Sequence, residues 1–538
     1  MARSEKLQDR LGFIDGIQAS VARRLEKFSV VLEGRSQIFV PILLALYLWI
    51  LKSERIKPLW HDELYTYYIA QAPSFGKMLE WTRTIDLNPP LYYIAVRLTF
   101  HALHPGPFSV RLPSMIAYFV ATLCVYQFVR RRLTAFYGFL GALVLLSSPF
   151  NLYSYEARPY ALALAFMGIL TLGWQRAIED DRPRSWTAMF FILVGGFGML
   201  LSHVLAAVAY AALLLTEVIR FAMRRKPAWI LWICLALPLS ACITYLQPIQ
   251  NHDSGSFPGQ FQASIVQLLA AYSEIWIGLA SFLGLAMIAI VLLTGKSEYP
   301  IIKRAQSGFS WPEKILALGF CCVPVVVVLV FMHSHSAYFP RYGMPAIFGV
   351  GILVPWFISK WTATSSRAAL ICSIIFIFGI VTPASIARHL QQAVQPAPPK
   401  TSDLTGESAA PVNTVLPNLP FVDASGLTFL EMNSRESSAF LSRVYYLTDE
   451  HAAIKYANAT IFEGLPNLRG KFPIQANIIP YEEFIQQHST FLVLGTYNYP
   501  EDWLLRKLLA DHATLRFLGD FPTGYKDEHL YEVTLAHP

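Results

Sequence analysis

Asn88-Pro89-Pro90-Leu91-Tyr92-Tyr93-Ile94-Ala95-Val96-Arg97-Leu98-Thr99-Phe100-His101-Ala102-Leu103-His104 is the stretch on which the topology turns. Asn88 is expected to cap a helix with Pro89 at its first position. In that helix Tyr93, Arg97, His101 and His104 fall on one face. Leu91, Ile94, Ala95, Leu98 and Ala102 fill the other. A helix divided in this way is expected to lie in the plane of a membrane interface. Counted as a span instead, it inverts every later loop and places clusters of arginine outside.

The chain around it has 538 residues, 54% of them hydrophobic and only 15% charged. Repeated apolar runs mark an integral membrane protein. They lie near 37–51, 110–129, 135–150, 160–175, 186–201, 203–220, 228–247, 264–293, 314–333, 341–358 and 367–387, eleven expected spans. Runs 186–201 and 203–220 are short and can also be read as one broken element. The basic residues alternate with this count. Arg130, Arg131 and Arg132, then Arg176, Arg182 and Arg184, then Arg220, Arg224, Arg225 and Lys226 fall in loops on one side. Lys296, Lys303, Arg304 and Lys314, and finally Lys360 and Arg367, join them. The later loops on the other side are nearly free of Lys and Arg, so the N-terminus is expected inside and the C-terminus outside. The formal charge of +7 is thus absorbed by topology and does not point to nucleic acid.

Four regions are expected. Residues 1–36 are polar and basic and read as a cytoplasmic, partly amphipathic segment rather than a cleaved signal. Residues 37–387 form the membrane domain, with an outer loop at 52–109. Residues 388–420 are rich in Pro, Ser and Thr and read as a linker. Residues 421–538 read as a small α/β domain outside the membrane, with strands at Arg443–Asp449, Phe491–Tyr497 and His529–Leu535 and helices at Tyr481–His488 and Glu501–Ala510. The six cysteines all lie in apolar runs, which argues against a disulfide framework.

The chemistry-bearing residues gather at the outer boundary. His61-Asp62-Glu63 follows the first run directly, and Asp86 lies 24 residues further on. A carboxylate held there can serve as a general base toward an acceptor hydroxyl. Paired carboxylates, Asp62 with Glu156 first, can also hold a divalent cation such as Mg or Mn. Tyr155-Glu156-Ala157-Arg158-Pro159-Tyr160 supplies an acid and a cation able to grip an anionic phosphate. Glu156 and Arg158 can equally pair with each other. His203 sits between two runs and reads as a structural hydrogen-bonder or a ligand. His333 and His335 flank Ser334, but two local ligands fall short of a closed metal site. Arg341 is either a topological anchor or a phosphate ligand.

Together these pieces resemble the membrane glycosyltransferases of the GT-C fold, in particular the protein O-mannosyltransferase and lipid A aminoarabinose transferase group. The matching segments are His61-Asp62-Glu63, Asp86-x-Asn88-Pro89-Pro90-Leu91-Tyr92, Val110-Arg111-Leu112-Pro113-Ser114, Glu156-Ala157-Arg158-Pro159-Tyr160 and Arg341-Tyr342-x-x-Pro345. Asn88 stands where many relatives have His. The resemblance implies a polytopic, mainly α-helical protein of about eleven spans with juxtamembrane helices. It implies transfer of a sugar from a polyprenyl-phosphate donor to a glycan, lipid or protein hydroxyl on the outer face of the cytoplasmic membrane. Asp62 would then be the base, and Glu63, Asp86 and Glu156 would shape the acceptor side. Arg158 and Arg341, with His203 and Tyr342, would bind the donor phosphate.

Two other classes fit a polytopic chain. A transporter or flippase of a lipid-linked sugar predicts ionisable groups in mid-membrane and internal repeats. A sensor predicts a cytoplasmic output domain. The ionisable groups at the outer boundary and the short N-terminal segment favour the transferase.

Overall fold

A computed structural model describes residues 20–53, 58–179, 185–243, 245, 261–294, 308–334, 336–394, 418–497, 502–522 and 527–536. The apolar runs are helical. Pro107–Arg130, Tyr160–Glu179 and Ala206–Arg224 are long and apolar enough to cross a membrane by themselves. Two bent pairs raise that number to as many as five, and shorter apolar helices pack among them. One pair, Trp311–Cys321 and Val323–His333, bends by 43° where Pro324 enters the second helix. The other joins Ser20–Gly34 to Ser36–Lys52 at 80°, which lays the first helix across the end of the second. The runs at 186–201 and 203–220 are two separate helices, Trp186–Leu200 and Ala206–Arg224, with His203 in the turn between them.

Small residues set the closest helix pair. A Cβ on Gly195 would stand 2.4 Å from the Leu170 amide nitrogen, so only glycine lets Trp186–Leu200 approach Tyr160–Glu179 this closely. The arginines at the opposite end do more than set topology. Arg132 donates to Glu313 at 2.6 Å and pairs with Glu179 at 2.9 Å, and Gln175 donates to the same Glu313 at 2.8 Å. Three helices are thereby tied by groups that would be costly to bury singly.

The stretch at 88–104 is a helix, but it begins later than expected. Pro90 is the N-cap and the helix runs Leu91–Ala102. The Asn88 side chain instead donates to the Asp86 carbonyl at 3.2 Å, shaping the turn in which Leu87 has φ +53°. Tyr92, Tyr93 and Val96 are buried, whereas Leu98 is 63% exposed. Arg97 reaches the carbonyls of Ala70 and Ala72 at 3.2 and 2.8 Å, fastening this helix to its neighbour His61–Ala70.

Beyond the membrane helices lies a six-stranded sheet in the order β3-β2-β1-β4-β6-β5. The strands are β1 Phe421–Asp423, β2 Val444–Thr448, β3 Asn477–Pro480, β4 Thr490–Gly495, β5 Thr514–Pro522 and β6 Asp527–Thr534. The first four are parallel, and β6 runs antiparallel to both β4 and β5. Alternate residues face opposite cores. Val422, Val493 and Val533 pack with Phe484 and Leu505 on one side. Phe421, Val444, Leu492 and Leu494 face the other way, into a core that also contains Leu64, Ile69, Met78, Trp81 and Tyr92 of the outer loop. The sheet and the loop thus share one apolar core. Phe472 stands at their junction, 5.0 Å from Tyr68 and 5.5 Å from Tyr65 between ring centres. Aromatic pairs of this kind are worth about 0.5–1.5 kcal/mol each beyond area burial.

Candidate functional site

The site is built on the first turn of the helix His61–Ala70. Its N-cap, Trp60, has no side-chain acceptor to offer, and Asp62 and Glu63 occupy the first turn, where the helix dipole favours negative charge. The two neighbours then part company. Glu63 accepts from Arg111 Nε at 2.7 Å, Arg111 Nη2 at 2.5 Å, the Ala157 amide at 2.7 Å and the Trp60 amide at 3.3 Å. Four donors fill the four lone-pair positions of a carboxylate. With side-chain exposures of 0% for Glu63 and 4% for Arg111, the pair is a sealed clamp between three segments. The lone pairs of Glu63, expected on the acceptor side, are thus taken up within the protein.

Asp62 faces the other way. Its Oδ2 lies 3.5 Å from Arg341 Nη2 and 3.9 Å from Arg158 Nε, with the side chain 22% exposed. Burial alone would raise its pKa, but Arg158 and Arg341, aided by His61, outweigh it and hold the carboxyl below the usual range. Arg158 also donates from Nη1 to Asp86 Oδ2 at 3.1 Å and to the Asp62 carbonyl at 3.2 Å. The Tyr93 hydroxyl donates to the same Asp86 oxygen. Asp62, Asp86, Arg158 and Arg341 therefore converge, from four separate segments. Glu156 is buried beside them in sequence, but it does not join this network through any of these contacts; its carbonyl accepts from the Arg158 amide at 2.8 Å.

Behind Arg341 opens a cavity with two chemical ends. Arg341, His203, Tyr342 and Tyr160 line one part, and Leu164, Met167, Met199 and Leu205 line the rest. The Arg341 guanidinium lies 4.4 Å from the Phe339 ring centre, an aromatic support for a partly dehydrated cation. The Nε atoms of both Arg158 and Arg341 are buried without a hydrogen-bond partner. Arg341 lines the cavity, and a guanidinium with an unused donor beside an apolar space can receive an anion that carries an apolar tail. His203 is set for a neutral role. Burial and the two arginines push its pKa down to about 3. Its Nδ1 accepts from the Leu205 amide at 3.2 Å, which leaves the ring proton on Nε2 as a donor. The ring packs 4.9 Å from Tyr160.

The cation reading does not fit this donor set. Among the described residues no three His, Cys, Asp or Glu side chains converge on a point, and Asp62 already faces two guanidinium groups. His333 is exposed at a helix end, and His335 lies outside the described residues.

Sequence reasoning missed four participants. Tyr93 looked like part of a polar stripe. Arg111 was visible only as a motif letter, although an arginine on the side expected to be outer defies the charge rule and is itself a signal of a local partner. Glu431 and Arg435, which reach the loop from the sheet domain, carried no local signal at all.

Comparison with known proteins agrees with this architecture. Residues 88–246 match the family model described as dolichyl-phosphate-mannose-protein mannosyltransferase. The crystal structure of ArnT from Cupriavidus metallidurans in the apo state superposes with a TM-score of 0.51 at 12% identity, covering 93% of this chain and 98% of that one. A structure of the same protein bound to undecaprenyl phosphate gives 0.49 at 12% identity over the same shares. No curated protein matches in sequence. The fold is of the GT-C type, and residues 88–246 are similar to the mannosyltransferase family model.

Proposed function

We propose that this protein moves a sugar from a polyprenyl-phosphate donor to a hydroxyl acceptor at the outer face of the cytoplasmic membrane, with Asp62 as the general base. One observation carries the reading: Asp62 faces both Arg158 and Arg341, and Arg341 in turn lines the polar end of an otherwise apolar cavity. A lipid-linked sugar phosphate has the same two-part chemistry, and the description of the matching family names such a donor. In the reaction the acceptor oxygen bonds to the anomeric carbon as the bond from that carbon to the phosphate oxygen breaks. The acceptor proton goes to Asp62, and the leaving phosphate keeps its electron pair beside the two guanidiniums. His203 Nε2–H is a further donor to that phosphate, and Tyr342 frames the cavity wall.

The free site has an inhibited base. Two cations close to Asp62 weaken it as a proton acceptor. A donor phosphate bound to Arg158 and Arg341 draws that positive charge onto itself, so the pKa of Asp62 rises as the donor settles. Base strength then arrives together with substrate.

The side of the membrane is supported by an aromatic belt. Trp186, Trp229 and Trp311 are each highly exposed at the first residue of an apolar helix that leaves a basic loop. Tryptophans mark the interface, and Lys and Arg loops mark the cytoplasmic one. The acceptor, whether glycan, lipid or protein, is met on the opposite side. The test is direct: purified protein with a panel of polyprenyl-phosphate sugars and envelope-lipid, glycan and protein acceptors, read by mass spectrometry. Release of polyprenyl phosphate coupled to a glycosylated acceptor supports the proposal. Translocation of the intact donor without bond cleavage would replace it with the transport reading.

A further inference from the structure

The sheet domain touches the Asp62 helix at its most sensitive point. The His61 amide, an orphan donor in the first turn, is buried and donates to Glu431 Oε1 at 3.0 Å across 370 residues of sequence. Glu431 is held in turn by Arg435, one helical turn on, at 2.9 Å. The Arg435 guanidinium also donates to the Leu59 carbonyl. Carboxylate and guanidinium thus grip residues 59 and 61 on both sides of Trp60, the residue whose own side chain provides no cap. The His61 ring is braced edge-on by Phe462 of the same domain, at 5.6 Å.

We propose that Glu431 is a positioning residue for sugar transfer: it caps the Asp62 helix from the sheet domain and so fixes where the Asp62 carboxylate points. The inference rests on Asp62 as the base. Asp62 is the next residue along the chain, and its contacts with Arg341 and Arg158, at 3.5 and 3.9 Å, are loose enough that a shift of an ångström remakes or breaks them. An error of that size at a reacting group typically costs about a hundredfold in rate. A carboxylate cap is also better placed than a hydroxyl, because it adds charge complementarity to the helix dipole. On this view the sheet domain is part of the catalytic geometry as well as a covering for it.

The experiment compares Glu431→Ala, Glu431→Gln and Arg435→Ala with Leu508→Ala, which opens a hole in the far core of the same domain. All are made in the full-length chain. Two readouts are taken: turnover of a polyprenyl-phosphate sugar, and hydrogen–deuterium exchange of the peptide spanning residues 58–66. Glu431→Ala is expected to lower kcat by about ten- to a hundredfold with little change in donor KM, and to speed exchange at 58–66. Gln, which keeps an acceptor oxygen, should restore most of both. Arg435→Ala should move both in the same direction as Glu431→Ala. Leu508→Ala should move neither. Unchanged exchange and unchanged kcat in Glu431→Ala overturn the proposal. So does an equal loss in Leu508→Ala, which would make general domain stability the cause. If the wild-type protein turns over no polyprenyl-phosphate sugar, the proposed function fails, while the exchange data still decide whether Glu431 holds the helix.

Discussion

Replacing Asp62 with Asn isolates the proposed base. The amide is nearly isosteric but accepts no proton, so the acceptor hydroxyl must ionise unaided. Loss of a general base costs about two to four orders of magnitude in rate. The structure indicates that folding should tolerate the change. Arg158 keeps its bond to Asp86 at 3.1 Å, and Arg341 keeps its aromatic faces. The lost attraction at 3.5 Å is about 5 kcal/mol at an effective dielectric near 20. Relief of the desolvation of a partly buried carboxylate offsets much of it, leaving a net destabilisation of about 1 kcal/mol. Its pH dependence has a fixed sign. A carboxyl whose pKa is depressed in the folded state stabilises above its unfolded pKa and loses that contribution as pH falls through the folded value. Wild type and Asp62→Asn should therefore differ most in melting temperature near neutrality and converge in strong acid. Turnover in detergent, with a melting curve beside it, is the assay. Wild-type turnover in a folded Asp62→Asn protein would refute the assignment, and Asp86 would be the next carboxylate to test.

Other outcomes follow from the same contacts. Arg341→Ala should raise donor KM and move the acid limb of kcat/KM upward, because burial then acts on Asp62 with one opposing cation fewer; a pH–rate profile reads both. Glu63→Gln should act on stability, since it leaves Arg111 buried without its counter-charge, at about 3–5 kcal/mol, with kcat per folded molecule nearly intact. Met167→Trp should fill the apolar part of the cavity and raise KM for long-chain donors at least tenfold while sparing a truncated, water-soluble donor. A periplasm-active reporter fused at the C-terminus should be active, and a cytoplasm-only signal would reverse the proposed orientation.

The membrane helices were legible because a long apolar run has few other uses, and the helix Leu91–Ala102 because its residue types recur at helical spacing. The sheet was half legible. Strands β2, β4 and β6 have five to eight residues each, whereas β1 has three residues and β3 four, too short for alternation to register. The site was legible as a set of residue types but not as a division of labour. Asp62 and Glu63 are adjacent and chemically alike. Only the hundred-degree step between neighbours on a helix turns one toward Arg111 and the other toward Arg158 and Arg341. Nor does any local pattern tell that Arg435 serves a loop 376 residues away.

The core shared by loop and sheet also sets a schedule. Residues 59–110 leave the ribosome early, yet part of the apolar surface they bury against belongs to Phe421, Leu492 and Leu530. His61 waits 370 residues for Glu431. At about 5–20 residues per second that is roughly 20–75 s of synthesis. Throughout this interval a tyrosine-rich, half-covered surface stands at the membrane with Asp62 unaligned. A nascent chain arrested before the sheet is complete would be inserted but inert, and it would be the natural client of a chaperone or protease on the outer side.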